Sequence, residues 1–363
     1  MKGVILVENS FVHPYMPNSV PENKKAMLDE LGINSVEDIY KSIIPDELLY
    51  KERLDIPEPI RSEYELKRHV MGILNRDITT EEYTSFLGAG CYKHQVPAIC
   101  DEINSRGEFL TAYCGDTYSD HGKMQAIFEY TSMMGELLDT DVVSYTTYDG
   151  GQAVASSLRM AVRAVREKGM AGKVILVPKT MNPEIYSQVV QYCRNVAEVR
   201  KIAYEPETGL MDLEELKEQL AKKNVAAVFF ENPTYLGNFE TRGEEIAKLA
   251  HDAGAYCVVQ TEVAALGIME SPVNQGADIV CGDIQPLGMH IQFGGGQAGF
   301  IACNQNMDLV EQFPTYMYGI TETEKEDTYG WGRAMNYRSS HGSRENAKEY
   351  FGTETGLWAI TAG

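Results

Sequence analysis

The sequence predicts an α/β domain built on a mostly parallel sheet, with a helical arm ahead of it. Two observations carry this. From about residue 122 onward, short apolar runs alternate with stretches of helical length and helical periodicity. The apolar runs are unbroken rather than alternating with polar residues, as strands covered by helices on both faces require.

The elements follow in order. GKMQAIFEYTSMMGELL places Met124, Ile127, Phe128, Met134 and Leu138 at helical spacing. DGGQAVASSLRMAVRAVRE is a second helix that opens on Asp149, Gly150 and Gly151. KVILVP, VRKIAY, VAAVFFENP, AYCVVQ and ADIVCG read as strands. PEIYSQVVQYC, MDLEELKEQLAKK and TRGEEIAKLAHDAG read as the helices among them. Ligands on such sheets gather at the carboxyl ends of the strands. Those ends are Pro178-Lys179, Asn232-Pro233, Gln260-Thr261-Glu262 and Gly282-Asp283.

Residues 1–85 read as the arm. Leu31-Gly32 closes one helical run, Ser35 opens another with capping-box character, and Ser62 starts a third. An arm with many charges and few apolar residues is expected to wrap a neighbour. Residues 86–340 are expected to form the large domain.

Composition narrows the function. Of 363 residues 44% are apolar, enough for a sizeable core, and the formal net charge is −21. Nucleic acid is excluded as a partner, because phosphate binding concentrates Lys and Arg on a surface. The seven cysteines are odd in number and never spaced C-x-x-C. Neither a zinc ribbon nor a disulfide framework follows, no metal is expected, and reduced thiols in a cytoplasm fit best. Cys257 and Cys281 sit in strand runs as core residues. No segment reaches membrane-spanning length.

Gly294–Gly299 matches G-x-G-x-x-G, but FIACN follows it and reads as a strand. A dinucleotide site needs a helix there. The glycines are better read as a turn that another group can approach closely. Asp149 argues against an anion at the start of its helix and reads first as the N-cap.

The most informative feature is an absence. No lysine lies between Lys248 and Lys325, and no arginine between Arg242 and Arg333. The turn in ADIVCGDIQPLG carries Gln285 and Pro286, and an amide cannot condense with a carbonyl cofactor as a lysine does.

FLGAGCYKHQVPAICDEI, EFLTAYCGD, QAIFEYTSMMGELLDTDV, YDGGQAVA, ENPTYLGNFE, GADIVCGDIQPLG and FGGGQAGF occur in fixed order. Through these motifs the chain resembles the glycine cleavage system P protein, specifically subunit 1 (alpha) of the two-subunit glycine dehydrogenase (decarboxylating). The resemblance covers essentially the whole chain, the arm included. It implies a pyridoxal-phosphate-dependent transferase fold, aminotransferase-like and of fold type I. It also implies a beta subunit that carries pyridoxal phosphate covalently on its lysine, in a heterodimer or heterotetramer. Such a complex decarboxylates glycine and passes the aminomethyl group to the lipoyl arm of the H protein. Gln-Pro at the turn matches the alpha pattern, so the Schiff-base lysine is expected in the partner.

From this resemblance Lys93, His94, Tyr113, Gln285 and Arg344 are candidates for a shared site. Tyr148, Asp149, Gly150, Gly294, Gly295 and Gly296 are expected near the cofactor. By comparison with the family, residues 341–363 are expected to be the start of a small C-terminal domain, cut short at Gly363. The chain departs from the family in the loop Cys114–Asp120, which bears on the substrate. The alternatives are a paralogous subunit acting on another small amino acid, and a non-catalytic scaffold for the beta subunit.

Overall fold

The computed structural model describes residues 12–50, 52, 54–86, 92–110, 121–294, 296–335, 337, 342–349 and 355–363. The chain divides into two units, between Thr79 and Thr80.

The first unit carries helices α1 (Pro21–Leu31), α2 (Glu37–Ile43) and α3 (Glu63–Leu74). Gly32 ends α1 in the left-handed region, at φ 68°, where a glycine carries no Cβ penalty. The Ser62 side chain accepts from the N–H of Glu65 and caps α3. Of the capping box expected at Ser35, only the acidic half forms: the Asp38 carboxylate accepts from the N–H groups of Asn34 and Ser35. Val36 is the N-cap residue and offers no side-chain oxygen. None of these helices holds a buried residue.

The second unit is the α/β domain. Its elements run α4 (Ala98–Asn104), α5 (His121–Leu138), β1 (Val142–Val143), α6 (Gly150–Glu167), β2 (Val174–Pro178), α7 (Pro183–Cys193) and β3 (Glu198–Ile202). They continue α8 (Leu213–Leu220), β4 (Val225–Asn232), α9 (Gly243–Asp252), β5 (Tyr256–Thr261), β6 (Ile279–Asp283) and β7 (Gly299–Cys303). Short helix α10 (Met307–Val310), hairpin β8 (Met317–Glu322) and β9 (Tyr329–Ala334), and helix α11 (Gly356–Ala362) complete the unit.

Strand order is β1-β7-β6-β5-β4-β2-β3. Strands β2 to β6 run parallel to their neighbours, and β7 and β1 close one side antiparallel. The unbroken apolar runs are explained by burial on both faces. Along β4, Val228 and Phe230 belong to one core cluster, and Ala227 and Phe229 to the other. Val174 and Leu176 alternate with Ile175 and Val177 in the same way on β2. Cys257 and Cys281 are fully buried.

This topology positions the site. A parallel strand must return to the same end of the sheet through a helix, so the carboxyl ends of β4, β5 and β6 share one edge. Helices α6 and α7 begin at the cavity there, with Asp149 and Asn182 as their caps.

Candidate functional site

At this edge lies a cavity of about 850 Å³. Strand ends supply Glu231, Gln260, Glu262 and Asp283, and helix starts supply Asp149, Gly150 and Glu184. Lys93 and His94 line it from the segment ahead of α4.

The cavity is acidic. Asp149, Glu184, Glu231, Glu262 and Asp283 face it, and among the described residues no arginine does. The Lys93 ammonium is engaged, donating to the Thr80 carbonyl at 2.8 Å and lying 3.0 Å from Glu81. Glu231 is 5% exposed and accepts only from backbone, including the Asn182 N–H at 3.2 Å. Burial pushes its carboxyl up to about 7. Asp283 is likewise pushed up to about 7 by burial, against the opposing pull of three backbone N–H donors. Glu262 is raised by burial as well.

Asp149 caps α6, its Oδ1 accepting from the Gln152 N–H at 2.6 Å. Asp283 reaches the same helix from β6, its Oδ2 accepting from the Gly150 N–H at 2.9 Å. Its Oδ1 accepts from the N–H of Gln285 at 2.8 Å and of Ala298 at 3.4 Å.

His94 Nδ1 lies 2.9 Å from the Tyr92 carbonyl, which can only accept, so Nδ1 carries a proton and donates it. Nε2 is buried and has no hydrogen-bond partner among the described residues. Gln285 is 1% exposed. Its Nε2 donates to the Met289 carbonyl at 3.3 Å and reaches that of Tyr92 at 3.5 Å, while Oε1 has no partner. Pro286, beside it, lines the cavity.

Of the residues singled out from sequence, Lys93, His94, Asp149 and Gly150 come together at the cavity, with Gln285 buried behind it. Tyr148 adjoins them, half-exposed, its N–H donating to Gln152. Gly294 and Gly296 flank the approach to β7, and Gly296 is not among the residues that line the cavity. A Cβ on Gly296 would run into the His290 carbonyl, so the chain there turns back on itself. Arg344 is exposed and lies outside the lining. Tyr113, Gly295 and the loop Cys114–Asp120 lie outside the described residues. The carboxylates of Glu231 and Glu184 were not singled out. A charge ending the buried run VAAVFF was the signal for Glu231, since an unpaired acid in a core strand is costly.

A family model described as glycine cleavage system P-protein matches residues 13–363. The chain belongs to the glycine cleavage system P-protein family. It is similar to the probable glycine dehydrogenase (decarboxylating) subunit 1 of Staphylothermus marinus, with 34% identity over 96% of this chain and 74% of the relative. The protein of the same description from Carboxydothermus hydrogenoformans is 36% identical, over 96% of this chain and 76% of that one. A crystal structure of glycine decarboxylase (P-protein) of the glycine cleavage system, in inhibitor-bound form, aligns with a TM-score of 0.79 at 30% identity. It covers 97% of this chain and 75% of that one. Sphingosine-1-phosphate lyase of Burkholderia pseudomallei, 14% identical with a TM-score of 0.56, covers 88% of this chain and 71% of that one and shares the fold alone.

The fold expected from sequence, fold type I of the pyridoxal-phosphate enzymes, is borne out. This P-protein chain nonetheless does not fit that cofactor in its own cavity. No lysine stands at the turn after β6, where Gln285 and Pro286 sit. A phosphate at the start of α6 would meet the carboxylates of Asp149 and Asp283. Each like-charge pair at about 5 Å costs about 3 kcal/mol at an effective dielectric of about 20.

Among the described residues, no group of three or more His, Cys, Asp or Glu is placed to hold a metal ion. Among them, too, no helix is long and apolar enough to cross a membrane.

Proposed function

We propose that this P-protein chain is the alpha half of a two-chain glycine decarboxylase. A beta subunit carries pyridoxal phosphate on its lysine, and the two halves assemble as a heterodimer or heterotetramer in the cytoplasm. The complex decarboxylates glycine and hands the aminomethyl group to the lipoyl arm of the H protein. The cofactor supplies the electron sink for decarboxylation when it is bound in the beta subunit.

The observation that carries this reading is the turn after β6. Gln285 is buried and packed at the position where a lysine-bearing chain would need its amine, and the edge around it is acidic. A chain with this fold and family but without a covalent anchor requires a partner that has one. The names of its relatives, each a subunit 1, support the same reading. So does the first unit, whose helices bury no residue of their own and leave Ile39, Ile43, Val70 and Ile73 exposed to a neighbour. His94, whose Nε2 has no partner among the described residues, lines the same cavity.

Glycine-dependent exchange of labelled bicarbonate, with lipoylated H protein, tests the reading on the co-purified pair. Exchange requiring both chains is expected. Turnover of another amino acid without glycine exchange would contradict it in favour of a paralogous subunit. Full activity of the beta chain alone would reduce this chain to a scaffold.

A further inference from the structure

The start of α6 is where this fold would be expected to hold an anion. A helix N-terminus presents unpaired N–H groups and the positive end of its dipole. In this chain two of those N–H groups are already taken, and each by a carboxylate. Gln152 donates to Asp149 on the helix's own cap, and Gly150 donates to Asp283 from a strand 133 residues on.

The second contact is built by three elements. Asp283 draws N–H donors from the start of α6, from the turn after β6 and from the approach to β7. Gly150 makes room for it: a Cβ there would lie 3.0 Å from the Asp283 Cβ and 3.2 Å from its backbone nitrogen. Gly299 does the same on the other side, where a Cβ would collide with the Thr147 hydroxyl and the Asp149 carbonyl. Asp149 is held in turn by the Gln188 amide, 3.3 Å from its Oδ2. Among the described residues of the cavity lining no cation neutralises either acid, and the one lysine among them is engaged elsewhere.

We propose that Asp149 and Asp283 together stand in for a phosphate at the start of α6 and exclude phosphate-bearing cofactors from this chain's cavity. The two oxygens of Asp283 accept as two phosphate oxygens would, from donors of three different elements, while the charge of Asp149, joined by that of Asp283 wherever it is ionised, repels an incoming anion. The absence of a lysine removes the covalent bond, and the aspartate pair removes the non-covalent site as well. Free cofactor therefore partitions to the lysine-bearing partner alone. That consequence rests on the function proposed above, whereas the exclusion itself does not.

The test uses inorganic phosphate on the purified chain, followed by titration calorimetry and phosphorus NMR line broadening. The variants are Asp283→Ala, Asp283→Asn and Asp149→Ser with Asp283→Ala, where serine keeps the cap on Gln152. Wild type is expected to show no saturable binding. Asp283→Ala is expected to gain about tenfold or more in phosphate affinity, and the double variant more again, because N–H donors are freed and like charge is removed. If Asp283→Ala fails to fold, Asp283→Asn decides: it keeps one acceptor oxygen, replaces the other with an NH2 group and removes the charge, so its gain is smaller but of the same sign. The proposal is overturned if wild type binds phosphate as tightly as the variants, or if no folded variant gains affinity. Neither glycine nor the partner enters this titration, so its failure leaves the decarboxylase reading standing, and failure of bicarbonate exchange leaves the aspartate pair standing.

Discussion

Glu231 is the penultimate residue of a strand buried along its whole length, and none of the described residues places a cation beside it. Its carboxyl, pushed up to about 7 by burial, binds a proton in the folded chain that the unfolded chain releases nearer pH 4.5. Stability from this group is therefore complete below pH 4.5, falls as pH rises and is gone above about 7. Glu231→Gln is expected to be more stable than wild type at pH 8 by up to about 3 kcal/mol, with the gap closing toward pH 5. Urea unfolding at the two pH values measures this, and a gap that does not change with pH would count against it. The Asp149 cap was legible in sequence, because an acid directly before two glycines and a helical run is a local signal. The bond from Asp283 to Gly150 was not, because nothing local couples residues 133 apart until the sheet brings them together.

Helices α6 to α9 and strands β2 to β6 were readable as elements because each is long or strongly patterned. Periodicity marked the helices, and unbroken apolar runs marked the strands. The hairpin of β8 and β9 was not read. Its strands carry glycines and charges, and only Met317 and Tyr318 are buried, so neither alternation nor an apolar run announces them. Nor did the sequence announce what ties the segment before α11 to α6. Glu349, 8% exposed, accepts from Arg159 at 2.9 Å, from Arg163 at 3.2 Å and from the Ser156 hydroxyl at 2.8 Å. Removing it strands two part-buried guanidinium groups. Glu349→Ala is expected to cost about 3 kcal/mol, the scale of breaking a buried ion pair from one side. Chemical denaturation checks this, and a loss below about 1 kcal/mol would mean that the arginines find other partners or water.

At the scale of the whole molecule, the fold class and the family were legible, because alternating elements and ordered motifs span nearly the whole chain. The site was legible only in outline. Strand ends pointed to the right edge of the sheet, and the lysine-free span from 249 to 324 said what that edge could not do. What the edge does instead, presenting five acids and a buried amide, emerged only when distant residues were placed together. The acidity of the chain as a whole, −21, gave no hint of that concentration. If this chain is the half without the cofactor, covalently held pyridoxal phosphate belongs to the partner alone. Borohydride reduction of the co-purified complex, followed by mass spectrometry of both chains, tests it directly. A pyridoxyl-lysine is expected in the partner chain and none in this one; a pyridoxyl adduct on any lysine of this chain would overturn it.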